Sequence, residues 1–449
     1  MAYDKKLSEL NSHTIYIIPA GEYFKKQEDA CFLVYSPLAN VFFLSLPSEV
    51  ENMEQQLKTG ETNNTLNRLL NCSFPKKVND LDTFCTLHLL LNEKCNFRCK
   101  YCYSAVGRSS AELSMDDIDV TLNYFLSSQR KAPAMRSVVF MGGGEPTLSW
   151  NILEQSTVLA EQIAAKNGIK VDFSLITNGS ILNDQMLDFM KTHKFTVQVS
   201  FEVLPDIQNA QRGMNDTVAA NVLKLSEANI SNYVRSTITD ANVDLLAEMV
   251  RYCQANFPDL KKLSCQYVID AEYFTSEAIV QDYFNRYSRS FVEATKQAKK
   301  TDLELRFSSS HLMNYSQREK FCCDIICLTP YGSFTTCPDV SSPKEGDYEQ
   351  AIFGKIENSE IIFDQEAFAR LTSGSIHSIE QCQTCWARWN CGSGCPNCRR
   401  VLSAETIDGI CDFYRRMLRQ DLMSELAFKY EKATGKDFYQ DIATKLENS

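Results

Sequence analysis

Between residues 84 and 300 short apolar runs alternate with stretches whose apolar positions recur every three or four residues. The runs Thr83 to Leu91, Ser137 to Met141, Val171 to Ile176, Thr196 to Phe201, Tyr233 to Ile238 and Lys262 to Ile269 predict strands. Ser114 to Gln129, Trp150 to Asn167, Asp184 to Thr192, Thr217 to Ala228 and Val243 to Phe257 predict the helices between them. Repeated strand–helix units with buried apolar strands predict a parallel sheet with helices outside and its ligand-binding face at the C-terminal strand ends. Ahead of this, His13 to Pro19, Ala30 to Tyr35 and Asn40 to Leu46 predict three short strands. Two helices are expected after them, Ser48 to Leu57 with Ser48 as cap, and Asn63 to Leu70. Beyond the barrel-like part, Thr275 to Lys300 predicts a long helix leading away from it, Pro330-Tyr-Gly332 a turn between strands, and Ala404 to Ala433 a closing helix.

Composition changes this picture in one respect. The 449 residues, 44% hydrophobic with a net charge of -11, describe an ordinary globular chain long enough for two or three domains. Acidity argues against gripping nucleic acid by phosphate neutralisation. No apolar run approaches the ~20 residues of a membrane span, and Met-Ala-Tyr-Asp-Lys-Lys is not followed by the apolar region of a secretory signal, which points to a cytoplasmic protein without a membrane partner. Eighteen cysteines are the anomaly. A large cytoplasmic chain needs no disulfide framework, so clustered cysteines there hold metal or do redox chemistry. Cys31, Cys72, Cys85, Cys253 and Cys265 are scattered and are assigned to packing.

The first cluster is Cys95-Asn-Phe-Arg-Cys99-Lys-Tyr-Cys102, just past the first strand of the alternating region. Such spacing can set three thiolates on one side of a loop, enough for three irons of a cubane with the fourth left open, although a partial zinc site or buried thiols would use the same residues. Gly142-Gly-Gly-Glu145-Pro-Thr follows the next strand, at the same face. Glycines let backbone approach a ligand, and a carboxylate can pair with an ammonium group. The remaining cysteines are Cys322, Cys323 and Cys327, then Cys337, then Cys382-x2-Cys385-x5-Cys391-x3-Cys395, with Cys398 and Cys411 beyond.

These residues resemble a known family. Cys95-x3-Cys99-x-Tyr101-Cys102 is similar to the cluster motif of radical S-adenosylmethionine (SAM) enzymes, and Gly143-Gly144-Glu145 to their methionine-binding motif. Ser200 resembles the strand-end serine that meets the ribose, and Arg235 a strand arginine near the cofactor carboxylate. Cys322-x9-Gly332-x4-Cys337 followed by Cys382, Cys385, Cys391, Cys395 and Cys411 resembles the SPASM extension. The resemblance implies an α/β fold, a partial (β/α)6 TIM-like radical SAM barrel over 83–310, with an N-terminal winged-helix-like α+β leader-recognition domain over 1–82 and a C-terminal iron-sulfur SPASM domain over 311–449. It implies S-adenosyl-L-methionine and three [4Fe-4S] clusters. The first is on Cys95, Cys99 and Cys102. The second is on Cys337, Cys395 and one or two of Cys322, Cys323 and Cys327, and the third on Cys382, Cys385, Cys391 and Cys411. Two departures stand out: Cys398 is a spare thiol, and Ser200-Phe-Glu202-Val203 replaces the serine, any residue, aspartate, glycine of many relatives.

Enzymes of this kind commonly act on peptides, so the expected substrate is a ribosomal precursor peptide whose leader segment binds as an added strand, and the electron donor is a flavodoxin or ferredoxin. An intramolecular thioether or carbon-carbon cross-link is the leading reading. Sulfatase maturation to formylglycine, peptide epimerisation and, outside enzymes, a zinc-binding scaffold are the alternatives. Asp339, soon after Cys337, is the candidate proton acceptor, with a plain turn aspartate before Val340 as its other reading.

Overall fold

The computed structural model describes residues 15–70, 80–307, 317–322 and 325–447. Cys72 and Cys323 lie outside them. Strands β1 (Tyr16–Pro19), β2 (Phe32–Ser36) and β3 (Val41–Ser45) form an antiparallel sheet in that order, followed by helices Pro47–Thr59 and Asn64–Leu70. Both faces are buried, as strict alternation requires. Ile15, Ile17, Phe32 and Val34 pack with Val50, Leu66 and Leu69 of the following helices. Tyr16, Ile18, Leu33 and Tyr35 turn the other way and pack on Trp386, Leu418, Leu422 and Met423. Ser48 is not the cap expected of it. Pro47 opens the helix with its preset φ, Leu46 takes the capping position, and its N–H is accepted by Glu49 at 2.8 Å.

The second sheet contains β4 (Thr86–Leu90), β5 (Met135–Met141), β6 (Lys170–Thr177), β7 (Thr196–Ser200), β8 (Ser231–Ile238), β9 (Lys262–Tyr267), β10 (Glu304–Phe307), β11 (Ile325–Leu328), β12 (Ser333–Thr335), β13 (Ile352–Glu357) and β14 (Glu360–Phe363). Their spatial order is β10-β9-β8-β7-β6-β5-β4-β11-β12-β13-β14. All neighbours from β4 to β10 are parallel. The six expected strands are therefore joined by a seventh, β10, whose Glu304 and Arg306 conceal it from an apolar-run search. On the other flank β11 lies parallel to β4 and continues as an antiparallel ribbon through β14, so one sheet crosses residue 310. Gly332, at φ 68°, makes the turn between β11 and β12.

Leu87, Leu89, Val138, Phe140, Phe173, Leu175, Val197 and Val199 point outward to the helices. On the inner face Leu90, Met141 and Cys327, with Val139, Ile176 and Ile325, form a small apolar floor. The helix Glu277–Ala298 does not lead away. It lies in the outer ring against Ala404–Thr434, with Phe413 at 5.1 Å from Phe284 and 5.0 Å from Tyr287 between ring centroids. Gly409 permits this approach, since a Cβ there would meet Val280 Cγ1 at 2.1 Å. Among the described residues no helix is long and apolar enough to cross a membrane.

Candidate active site

The C-terminal ends of β4 to β9 surround a cavity of about 600 Å³. Cys95, Cys99, Cys102, Gly142 to Glu145, Thr177, Ser200, Arg235, Gln266 and Asp339 all line it. Ser200 and Arg235 are register partners on β7 and β8, which puts them side by side. Tyr101, the aromatic residue of the cysteine loop, also faces the cavity.

The cysteine loop is held from three strand ends. After β5, Gly144 N–H donates to Asn92 O at 2.9 Å and Glu145 N–H to Lys94 O at 2.6 Å. After β6, Asn178 Nδ2 donates to Asn96 Oδ1 at 2.9 Å. After β7, Gln211 O accepts from Lys100 N–H at 3.1 Å. The glycines thus serve loop contact first: a Cβ on Gly144 would sit 1.9 Å from Lys94 O, and one on Gly143 2.1 Å from Glu93 Oε2. Gly144→Ala is accordingly expected to push the two loops apart at a cost of about 3 kcal/mol, read from denaturant unfolding, and to weaken S-adenosylmethionine binding in equilibrium dialysis.

Glu145 is 2% exposed. Its Oε1 accepts from Thr147 N–H at 3.1 Å, Thr147 Oγ1 at 2.7 Å and Thr177 Oγ1 at 2.6 Å, and its Oε2 from Asn178 N–H at 2.7 Å. Burial pushes its carboxyl up, against these four bonds. Two carboxylate oxygens offer about four acceptor positions, so only Oε2 keeps capacity for an ammonium donor.

Behind the loop lies a network that sequence reading had left open. Tyr101 donates its hydroxyl to Glu202 Oε1, which also accepts from Arg212 Nε at 2.9 Å. Glu202 Oε2 accepts from Ser236 Oγ at 2.5 Å and from Thr237 N–H at 3.0 Å. Glu202 is fully buried. Its aim comes from a tight turn in which Leu204 N–H donates to Glu202 O at 2.7 Å across Val203, held at φ 68°. A β-branched residue rarely adopts that left-handed region, so this turn stores strain. Arg108 was also missed. Its Nη2 reaches Cys102 Sγ at 3.5 Å and its Nη1 donates to Phe97 O. Burial pushes the Cys95 and Cys99 thiols up, with Arg108 opposing this at Cys95 and Arg212 at Cys99. His88 enters the cavity from β4, its imidazole pushed down to about 4 by burial.

The other cysteines fall into two places. Cys327, on β11, neighbours Cys322 and Cys337, and Cys337 neighbours Cys395. Cys398 is buried against Cys395 and Tyr267. Cys382, Cys385, Cys391 and Cys411 line a separate small cavity with Arg388, Arg399 and Arg415. Arg399 Nη2 lies 3.9 Å from Cys382 Sγ and Arg415 Nη1 3.8 Å from Cys385 Sγ. Soft sulfur donors with cationic N–H groups directed at them suit an anionic iron-sulfur cluster. Cys31, Cys253 and Cys265 are buried packing residues. Asp339 accepts from Asn397 Nδ2 at 2.9 Å, and burial pushes its carboxyl up against Arg235 and Arg400.

Among known families, the radical SAM superfamily matches residues 89–253. Residues 89–253 are a radical SAM domain. Members of that superfamily use a [4Fe-4S] cluster and S-adenosylmethionine. The chain is 25% identical over 142 residues to the radical SAM cyclopropyl synthase TigE of Paramaledivibacter caminithermalis, a match covering 28% of this chain and 29% of that protein, under a third of its length. It is 20% identical over 355 residues to the serine-type anaerobic sulfatase-maturating enzyme of Klebsiella aerogenes, covering 74% of this chain and 83% of that one. The solved structure of native anSMEcpe with bound AdoMet and Cp18Cys peptide superposes with a TM-score of 0.57 at 17% identity, covering 76% of this chain and 98% of the other, which shows a shared fold.

Proposed function

We propose that the radical SAM domain cleaves S-adenosylmethionine at Cys95, Cys99 and Cys102 and that the enzyme installs an intramolecular thioether or carbon-carbon cross-link in a ribosomally made precursor peptide. The supporting observation is the convergence of the three thiols, the Gly142 to Glu145 turn, Ser200 and Arg235 on one cavity of about 600 Å³. That volume admits a cofactor with a substrate side chain. A cluster and cofactor held by these residues would supply the radical chemistry needed to activate an unreactive C–H bond. The residues of this chain bind and orient. Glu145 Oε2 and the carbonyls of the glycine turn would receive the amino group, Arg235 the carboxylate and Ser200 the ribose. Arg108 and Tyr101 fix the cysteine loop, and the surrounding loops keep water out.

Asp339 lines the same cavity as the glycine turn and is assigned the proton from the substrate. A carboxyl lifted by burial is a suitable acceptor near neutral pH. In the Asp339→Asn chain 5′-deoxyadenosine formation is expected to persist while cross-linked product falls at least about 100-fold, a general-base magnitude. Parallel loss of both would remove Asp339 from this role.

The groups Cys322, Cys327, Cys337 and Cys395, and Cys382, Cys385, Cys391 and Cys411, are assigned the two auxiliary [4Fe-4S] clusters, which can accept the electron that an oxidative bond formation releases or hold a substrate thiolate. The three-stranded sheet favours a peptide with a leader. Among the described residues β3 has a free edge to which a strand can add, and two helices back the sheet. Sulfatase maturation is the second reading, favoured by the long match to the sulfatase-maturating enzyme. Anaerobic reaction with the peptide of the short reading frame beside the gene, followed by mass spectrometry, separates them: two hydrogens lost per link supports the proposal, a new aldehyde on a sulfatase peptide supports the second reading, and an unchanged mass with an inverted residue indicates epimerisation.

A further inference from the structure

The N-terminal sheet touches more than its own helices. Its Tyr16, Ile18, Leu33 and Tyr35 face packs against Trp386 and Ala387, inside the loop that carries Cys382, Cys385 and Cys391. Tyr35 donates its hydroxyl to Asn390 Oδ1 at 2.8 Å in a fully buried contact, and its ring lies 6.4 Å from Trp386. Arg419 ties the same sheet down from the long helix, through Pro19 O at 3.3 Å and Glu22 at 2.5 Å.

Tyr16 is the unexplained member. It is 8% exposed, and its buried hydroxyl has no acceptor for its proton among the described residues. The Arg388 guanidinium is placed to donate to its oxygen, which leaves the proton unused, and the Cys385 thiol packs against the same apolar cluster and acts on Tyr16 electrostatically. A buried O–H without an acceptor is costly, and such groups point to a partner that arrives with a ligand. A protonated thiol is a weak acceptor, whereas a metal-bound thiolate carries charge and is a good one.

We propose that the Tyr16 hydroxyl donates a hydrogen bond to the Cys385 sulfur of the loaded third site, which makes the N-terminal sheet part of that centre as well as a peptide-binding element. The inference rests on the assignment of Cys382, Cys385, Cys391 and Cys411 to a cluster. Tyr16 acts as a positioning residue through charge: a donor at a ligating sulfur stabilises the reduced, more negative cluster and raises its midpoint potential.

The test uses the full chain carrying Cys95→Ala, Cys99→Ala and Cys102→Ala, reconstituted anaerobically with iron and sulfide, so that only the auxiliary clusters report. Tyr16→Phe keeps the ring and deletes the hydroxyl. Redox titration followed by electron paramagnetic resonance is expected to show one auxiliary midpoint moving down and the other unmoved, with iron holding at about eight per chain. Tyr23→Phe, whose hydroxyl lies beside Arg419, is expected to move neither. Unmoved midpoints in Tyr16→Phe overturn the proposal. So does an equal displacement of both midpoints or by Tyr23→Phe, which would reveal a general effect on the fold, and so does iron loss in Tyr16→Phe, which would reduce Tyr16 to packing. A background chain holding no iron would overturn the underlying cluster assignment instead, a separate and recognisable failure.

Discussion

Replacing Cys95, Cys99 and Cys102 together by alanine is expected to abolish 5′-deoxyadenosine formation and to lower iron from about twelve to about eight per chain. The three thiols line one cavity and are the protein ligands assigned to the cofactor-cleaving cluster. Cys382, Cys385, Cys391 and Cys411 line another, closed round by Arg388, Arg399 and Arg415, so the first cluster can be removed while the distant one stays. Cys327 and Cys337 stand nearer, yet Cys327 belongs to the floor between β4, β5 and β11, and Cys337 neighbours Cys395. Iron and sulfide determination beside a cofactor-cleavage assay measures both parts. Unchanged iron would separate these cysteines from any cluster, and about four irons in the unsubstituted chain would remove the auxiliary pair.

Glu202→Ala is expected to be the most damaging single change outside the cysteines. It leaves the Arg212 guanidinium buried without its carboxylate and takes away the acceptor of the Tyr101 hydroxyl, the Ser236 hydroxyl and the Thr237 N–H. Removing one partner of a buried ion pair costs about 3–5 kcal/mol, so unfolding should move to markedly lower denaturant. Function is expected to suffer beyond stability, since Tyr101 sits between Cys99 and Cys102 and loses its anchor. Cofactor cleavage at a temperature where the variant is folded should fall about tenfold or more, because small displacements of positioning groups weigh heavily on rate. Glu202→Gln keeps an acceptor oxygen and the shape, and should lie between the two. A Glu202→Ala chain with native stability and turnover would show the network to be incidental.

The relation between Glu202 and Val203 explains a departure that spelling alone left ambiguous. With glycine at that position the backbone would enter the left-handed region freely. Here valine occupies it at φ 68°, fully buried, with its strain offset by apolar packing. The longer glutamate reaches Tyr101 from this turn and closes an ion pair with Arg212, ten residues further along the chain and just past the helix Pro205–Gln211.

Much of the architecture was legible from local pattern. The parallel strands β4 to β9 were read from apolar runs, the helices between them carry a clear three-to-four period, and the cysteine spacing with the glycine turn pointed to the C-terminal strand ends, where those residues line one cavity. These signals are short-range, and period and spacing record them directly. Other features depend on which segments meet in space. β10 is a strand because β9 offers it a parallel edge, although Glu304 and Arg306 carry charge. The segment from β11 to β14 extends the barrel sheet because β4 had an edge left to pair. Gly144 is required by a backbone 50 residues earlier, at Lys94. Glu202 acquires its partners from the cysteine loop, from β8 and from Arg212. Tyr16, unremarkable in an alternating strand, comes to share an apolar cluster with Cys385 because the sheet's second apolar face needed cover and found it in the C-terminal segment. Periodicity states that a face must be buried. What buries it is settled by the long-range fit of apolar surfaces, hydrogen bonds and charges, which no local stretch of residues encodes.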